Sequence, residues 1–532
     1  MDVFKLPAAE AGFHSSLLKD YLEGHPSLRS FYKFSPAFSC VPDAVEERRR
    51  FPFHRETLVA ELKRQHADWF SRFPVLENQA DALLSENTFT VTTGHQLCLA
   101  TGPLFFLYKI VTTINVCRQL NAKHPDLRFI PVFWMATEDH DLDEIRQVDF
   151  PDAHFNWETV QQGATGRMQA DGMATFLAEM ESTISNAPFA ADWLTLLRKA
   201  YTSTTTLAEA TRHIVLELFA EDGLLVLDAD AQSLKRIFVP LMREDLSLLS
   251  SGEIVRDTSS RLEKRYRAQA TPRDINLFYM DEGLRERLVK DEHGIFHVLN
   301  TDLQFTREQL LELLERFPER FSPNVILRPL YQEMILPNIA TIGGPGEINY
   351  WLQLKDLFDH HRVSYPLLIP RNNALLLSAR GYSKFKALGF SEADVFTAYG
   401  QLVQHYLANK AGGRPDFDAA KASLKHVFDE LQNKVSAVDP TLSASVQAEC
   451  QKSLNGMDTL ARKTDAALKR KHELVVQQLR QHVDRVRPGG VHQERVINGG
   501  YFIAQYGPSF IRDLLLHLEP LDAQVVLLIG DK

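Results

Sequence analysis

Residues 129–145 read Phe-Ile-Pro-Val-Phe-Trp-Met-Ala-Thr-Glu-Asp-His-Asp-Leu-Asp-Glu-Ile. The run from Phe129 to Ala136 is apolar and rich in aromatic and β-branched residues. A short run of that kind predicts a strand buried on both faces. After Thr137 come Glu138, Asp139, His140, Asp141, Asp143 and Glu144. Polar residues at the carboxyl end of a buried strand stand where open α/β sheets bind ligands. Carboxylates crowded around one imidazole repel each other unless cations, donors or water compensate. A solvated helix start explains part of the acid content, because carboxylates favour that end of the helix dipole. It does not explain an acid-flanked histidine directly after a buried strand, so the stretch is read as a site.

The neighbouring chain completes a βαβ unit. Thr88 to Thr93 is a β-branched strand that ends at Gly94. From Leu104 to Leu120, the residues Leu104, Leu107, Tyr108, Val111 and Ile114 share one helical face. Strand, helix and strand in this order cross over with the right hand. Gly223 to Asp228 supplies another buried strand, with Asp228 and Asp230 at its carboxyl end. Asn324 to Leu330, Pro366 to Ile369 and Val525 to Ile529 have the same character, and Asn276 to Met280 and Ile295 to Leu299 are shorter candidates. Their dispersion predicts one α/β core interrupted by insertions.

Five segments follow from this pattern. Residues 1–150 hold N-terminal helices and the first part of the core, and 151–215 a helical first insertion. Residues 216–389 hold the rest of the core with a second insertion. Residues 390–487 are long polar helices, and 488–532 return to the core. Within the helices, Leu424, Phe428, Leu431, Val435 and Val438 are spaced 4-3-4-3. The seam resumes beyond Asp439-Pro440 at Leu454, Met457, Ala461, Thr464, Leu468, Val475 and Leu479. Heptads on both sides of a turn predict an antiparallel coiled-coil hairpin, which packs on itself or also on a second subunit.

At 532 residues the chain exceeds one ordinary core. Its 44% hydrophobic and 24% charged residues are those of a globular protein. A net charge of −10 argues against nucleic acid or an anionic membrane as partner. No apolar stretch has membrane-spanning length. The start, Met-Asp-Val-Phe-Lys, is not a signal peptide. Cys40, Cys98, Cys117 and Cys450 form no CxxC pair, which suits a reducing cytoplasm.

Two glycine turns are candidate ligand contacts. Thr93-Gly94-His95-Gln96 closes the first strand, and Thr101-Gly102-Pro103 opens the next helix. Free N–H groups at a helix start suit an anion, although a structural turn explains them equally well. The spacing is neither a Walker A loop nor GxGxxG. Lys109 is a candidate cation for a phosphate or carboxylate. Farther on, Arg328-Pro329-Leu330-Tyr331-Gln332 precedes Gly343-Gly344-Pro345-Gly346-Glu347, Tyr350 and Trp351. Backbone amides at Gly102 and Gly343-Gly344 are candidate anion holders. Past the hairpin, Gln493, Arg495 and Asn498 stand near Gly499-Gly500 and are read as a junction or a second ligand pocket. Metal ligation by Asp139, His140, Asp141 and Asp143 is the weaker reading, because consecutive residues rarely converge on one ion, and no tightly bound metal is expected.

Taken together, the segments resemble the bacillithiol biosynthesis cysteine-adding enzyme family. The matching pieces are Thr93-Gly94-His95-Gln96, Thr101-Gly102-Pro103-Leu104, Tyr108-Lys109, Val132-Phe133-Trp134 and Glu138-Asp139-His140-Asp141. They continue in order with Arg328-Pro329, Gln332, Leu336-Pro337, Gly343-Gly344-Pro345-Gly346-Glu347, Tyr350-Trp351 and Gln493-Glu494-Arg495. The resemblance implies a Rossmann-like, nucleotidyltransferase-type α/β core with inserted connecting segments and a dimerising coiled coil. It implies a ligase joining the cysteine carboxyl group to the amine of glucosaminyl-malate, with ATP or another adenine nucleotide as the activating cofactor.

On this reading the crevice is formed by Thr93 to Gln96, Thr101 to Pro103, Glu138 to Asp141 and Gly343 to Glu347. Tyr108, Lys109, Arg328, Gln332, Tyr350 and Trp351 add substrate contacts, and Gln493, Arg495 and Asn498 the nucleotide contacts. Asp139 or Glu138 holds the cysteine ammonium or takes a proton from the attacking amine. His140 is the leading acid/base candidate, and His95 is a further catalytic candidate. Two rival readings are a metal-dependent phosphohydrolase or nucleotidyltransferase using the Glu138–Asp143 acids, and a non-catalytic coiled-coil scaffold.

Overall fold

In the computed structural model, residues 1–409 and 415–530 are described. The expected hairpin segment at 410–414 and the last two residues of the C-terminal segment lie outside them. The chain forms two compact units. The first comprises Met1–Leu376 and Gln493–Leu528, and the second runs from Leu377 to His492 with the residues from Ile529.

The first unit is built on five parallel strands, β1 (Thr88–His95), β2 (Arg128–Met135), β3 (Leu225–Asp228), β4 (Asn338–Gly343) and β5 (Leu367–Pro370). Their order across the sheet is β5-β4-β1-β2-β3. The quoted stretch is β2 followed by the acid loop, and the helix Phe105–Lys123 makes the crossover from β1. The chain winds outward through β2 and β3, then returns to β4 on the other side of β1. The order therefore reverses between β1 and β4, and open α/β sheets bind ligands at such a point.

β1 is rich in threonine yet buried along nearly all its length. Its hydroxyls find partners on β4. Thr90 and Thr92 donate to Asn338 Oδ1 at 3.2 and 2.8 Å, and Thr93 donates to the Ile342 carbonyl at 3.0 Å. Burial of those polar groups is tolerable because they are bonded. Behind β4, the fully buried Arg48 guanidinium bonds the Glu333 carboxylate at 2.7 Å and the Glu333, Leu336 and Ser364 carbonyls. Burial pushes the Glu333 carboxyl up to about 7 despite Arg48 and the amides of Asn338 and Gln332.

Several sequence expectations need correction. Asn324 to Leu330 is not a core strand. Arg328-Pro329 begins the helix Arg328–Ile335, where proline suits the first turn, and the strand is β4 beyond it. Val525 to Ile529 is a strand, but of a separate three-stranded sheet with Asp2–Pro7 and Asn373–Ser378. Residues 1–85 are therefore not all helical. The second insertion is a five-stranded antiparallel sheet holding Leu277–Asp281, Leu284–Lys290 and Phe321–Pro323. The first insertion carries the helices Met173–Ile184, Ala190–Ser203 and Leu207–Phe219, preceded by the hairpin Gln147–Phe150/Ala153–Asn156.

The second unit contains the expected antiparallel pair, Phe417–Val438 and Ser443–Lys471, turning at Asp439-Pro440. Asp439 accepts from the Thr441 N–H and hydroxyl, and Lys421 pairs with Asp458 across the arms. The return arm breaks at His472 and continues as Glu473–Val486. Ala461 and Leu479 of the seam are buried, while Leu431 and Val438 stay 45% and 84% exposed.

The Arg48–Glu333 pair generates a stability prediction. Arg48→Met leaves a carboxylate buried without its cation and should cost about 3–5 kcal/mol. Adding Glu333→Gln removes the charge but keeps an acceptor, so the double variant should melt above the single one. Thermal unfolding of the three proteins checks this, and a single variant melting with the wild type would show the pair contributes nothing.

Candidate functional site

A cavity of about 580 Å³ opens outside the carboxyl ends of β1, β2 and β4. That volume is in the range of small-molecule sites. β1 contributes Gly94, His95 and Gln96, and β2 with its loop contributes Trp134, Ala136, Glu138, Asp139 and His140. Beyond β4 come Gly344, Gly346, Glu347 and Tyr350. The inserted sheet closes one side with Phe278, Arg285 and Arg287.

Lys109 lies under the floor, nearly fully buried. Its Nζ donates to the Gly94 carbonyl and to Glu347 at 2.9 Å. Glu347 also accepts the Gly344 N–H at 2.9 Å, capping its own helix, Pro345–Leu352. Burial alone pushes the Glu347 carboxyl up, but Lys109 and the Gly344 N–H outweigh it and hold the group below its ordinary value. The expectation that Gly344 and Gly102 offer free amides fails here. Glu347 takes the first, and the Leu99 carbonyl takes the second at 2.9 Å. Gly344 has φ −76°, so no left-handed backbone requires glycine there.

The acids divide into used and available groups. Glu138 pairs with the fully buried Lys235, which also donates to the Phe321 carbonyl at 2.6 Å. It therefore does not offer a spare charge for an ammonium. Asp141 caps the short helix Leu142–Ile145, accepting from the Glu144 N–H at 3.2 Å, and Asp143 pairs with Arg146 at 2.7 Å. Asp139 and Glu144 remain at the cavity wall. The Gln96 amide joins them, donating to Glu144 at 2.6 Å and to Asp139 at 3.3 Å. Burial, then Asp141 and Asp139, raise the Glu144 carboxyl above its ordinary value. Arg273, Arg287 and Arg328 line the same cavity, and Arg328 donates to the Tyr350 hydroxyl at 3.0 Å and to Gln332 at 3.1 Å.

Other expected site residues serve the scaffold. Thr93 bonds β4, and Tyr108 donates to the Ala374 carbonyl at 3.5 Å. Gln332 bonds Glu333 and Thr341, and Trp351 packs on Phe358 and Tyr365. Gly343 accepts from the Arg371 N–H within the sheet end. The turn Thr101–Pro103 is clasped by the C-terminal segment. Leu104 donates to the Ile497 carbonyl, Gly499 to the Gly102 carbonyl, and Asn498 to the Leu99 carbonyl at 3.0 Å. Gln493 exchanges hydrogen bonds with the Leu376 backbone. Of the three expected nucleotide contacts only Arg495 lines the cavity. Sequence reasoning omitted Glu144, although it lay in the quoted acid run. It also omitted Arg273, Arg285 and Arg287, for which a strand pattern alone gives no ligand signal.

Fold and crevice together define a Rossmann-like α/β protein with both acids and arginines lining a cavity at its sheet switch point. Residues 1–372 match the family profile "Bacillithiol biosynthesis BshC, N-terminal Rossmann-like domain", and 374–529 match the corresponding C-terminal coiled-coil domain. A Flavobacterium johnsoniae protein is 38% identical over 96% of this chain and 97% of its own. One from Flavobacterium psychrophilum is 36% identical over 97% of both, and one from Cytophaga hutchinsonii 37% identical over 93% and 92%. Each of the three is named "Putative cysteine ligase BshC". The chain belongs to the BshC family of bacillithiol biosynthesis.

His95 yields a pH prediction. Burial, helped by Lys109, lowers its pKa from 6.5 to about 3, and it packs against Phe105 and Phe106 with Nδ1 3.0 Å from the Gln96 carbonyl. In the unfolded chain the ring takes a proton as pH falls through 6.5, whereas the folded ring does not until about 3. Its contribution is thus present above 6.5 and is lost as pH falls through that window. His95→Gln should flatten the loss of stability between pH 6.5 and 4 by at most about 1.4 kcal/mol per pH unit. The other histidines lowered by burial, His66 to about 4 among them, keep the remaining slope. Melting curves across that range check the difference, and identical slopes would refute a buried neutral His95.

Proposed function

We propose that this chain is a ligase that joins the carboxyl group of cysteine to the amine of glucosaminyl-malate. The observation that carries this reading is the charge layout of the crevice. The Gln96-bridged pair of Asp139 and Glu144 suits an ammonium, while Arg273, Arg287 and Arg328, which line the same cavity, suit carboxylates. Both substrates carry an amine and at least one carboxylate. Family membership and the names of the relatives agree with the assignment.

An amine must lose its proton before it attacks an acyl carbon. In this reading Asp139 and Glu144 hold the ammonium, and Glu144, whose carboxyl is raised by burial, accepts the proton. A free carboxylate needs activation, and the chemical route we favour is attack of its oxygen on the α-phosphorus of ATP with loss of pyrophosphate, after which the amine would displace AMP from the acyl carbon. The charge present fits phosphate, with Arg328 and Arg495 as the residues that would hold it, since Arg371 is already paired with the buried Glu494. The free glycine amides of a phosphate loop are not part of that fit, since the Gly102 and Gly344 N–H groups are bonded within the protein. A metal-dependent phosphohydrolase is the poorer reading, because Glu138, Asp141 and Asp143 are already engaged by Lys235, a helix N-terminus and Arg146.

The second unit suits a homodimer. Leu431, Val427 and Leu460 remain 45%, 60% and 52% exposed on its long helices, apolar side chains that a second copy would cover. Light scattering at micromolar concentration should give twice the chain mass. Leu424→Lys with Phe428→Lys and Leu431→Lys should give monomer or unfolding, and a wild-type monomer would refute the dimer.

The direct test incubates purified protein with cysteine and glucosaminyl-malate, with and without ATP. Mass spectrometry should show the amide only with the nucleotide. Asp139→Asn, in a side chain one-third exposed, should weaken amine-substrate binding by about 1.5–3 kcal/mol, the range for a hydrogen bond to a charged group. No amide under either condition would overturn the ligase reading. Unchanged binding in the variant would remove Asp139 from the amine site.

A further inference from the structure

His140 meets the crevice on one side and a fixed arginine on the other. Its Nδ1 lies 2.5 Å from NH1 of Arg285. A guanidinium keeps its protons in proteins and has no acceptor, so Nδ1 must be the accepting atom. A neutral imidazole has one donor and one acceptor nitrogen, and its proton therefore sits on Nε2. Arg285 is itself held in place. Its Nε and NH2 donate to Ser322 Oγ at 3.2 and 3.1 Å, and its guanidinium carbon lies 3.9 Å from the Phe278 ring centroid. The side chain is only 8% exposed. The His140 ring stands 5.5 Å from the same phenyl ring, so one aromatic side chain flanks both partners.

We infer that Arg285, delivered by the inserted sheet, is a positioning residue that fixes His140 as a neutral Nε2–H donor, so that His140 polarises an acyl oxygen of the bound substrate rather than shuttling a proton. The catalytic half of this statement rests on the ligase reading. The fixed tautomer does not. The charged groups facing His140 are Arg285, Asp139, Asp141 and Glu286. Burial and then Arg285 push its pKa down, and the three carboxylates oppose them without winning. A proton added at Nδ1 would set N–H against N–H and a second positive charge beside the guanidinium. In acyl transfer the carbonyl oxygen gains negative charge as the amine adds, and a fixed neutral donor stabilises that charge without giving up its proton. Proton acceptance then belongs to the Asp139–Glu144 pair.

Long-range 1H–15N correlation on the full-length chain, labelled with 15N-histidine, reads the tautomer without substrate. His140→Gln assigns the signals. The wild type should show an unprotonated Nδ1 and a protonated Nε2 at neutral pH, with protonation displaced below the ordinary 6.5. Arg285→Gln should release the ring, whose titration then moves upward and whose Nδ1 is free to carry the proton. A wild-type His140 that is protonated at Nδ1, or that titrates near 6.5, overturns the inference, and this reading needs no variant of Arg285 to fold. Turnover supplies the second arm. His140→Gln keeps an N–H donor and should stay within about tenfold of wild type, whereas His140→Phe should lose roughly 10²–10³ in kcat, the size expected for removing one oxyanion donor. Equal losses in both variants would mark proton transfer and overturn the donor role. If the wild type forms no amide, the ligase reading falls while the tautomer result stands.

Discussion

One buried ammonium sets the spacing of the crevice. Lys109 reaches from the crossover helix to the Gly94 carbonyl at the end of β1 and to Glu347 at the start of the helix after β4. Glu347 in turn holds the Gly344 N–H. Three pieces of chain distant in sequence thus meet at one charge. Burial pulls the lysine pKa down, and only the carboxylate beside it offsets that pull. Such a pair adds little net stability compared with apolar packing, but losing either partner strands a charge in low dielectric. Its effect is geometric: the two strand ends flanking the switch point cannot drift apart or collapse.

The same rule sorts the acidic loop after β2. A carboxylate fully removed from water needs a cation, and Glu138 has Lys235. Asp230, close to that lysine, is also gripped by Arg167 at 2.7 and 2.9 Å. Acids that are satisfied in this way contribute structure. Asp139 and Glu144 share the Gln96 amide, and the nearest guanidinium to Asp139, that of Arg285, stands off at 3.9 Å, so these two acids keep charge to present beside the arginines that line the same crevice. The density of acids in the sequence overstates the number available to a ligand.

The fold was legible where the chain obeys a single period. β1, β2, β3 and β5 are continuous apolar or β-branched runs because parallel strands are covered on both faces. β4 was not legible. It begins at Asn338, which the β1 threonines need as a partner, and ends on Gly343, so only a short apolar segment remains between them. The apolar stretch before it drew the assignment, although proline after Arg328 marks a helix start. In the site, Gly94, His95, Gln96, Lys109, Asp139, His140, Arg328 and Glu347 were identified and reach the crevice or its floor. Pro103 and Asn498 looked like ligand contacts in sequence but bridge one another, and Asn498 also holds the Leu99 carbonyl, because a turn rich in backbone groups serves a neighbouring segment as readily as a ligand.

Arg285 shows why the remainder was hidden. It sits on an inserted strand, 145 positions from His140, in a segment whose alternation reports only one wet and one dry face. No local pattern distinguishes an arginine aimed at an imidazole from one aimed at water. The pairing appears only when the inserted sheet brings Arg285, Ser322 and Phe278 together against the end of β2. The Rossmann-like core supplies a place for a ligand, as it does in many unrelated proteins. The insertion supplies what is particular here, a permanently charged donor that decides which nitrogen of His140 faces the crevice with a proton.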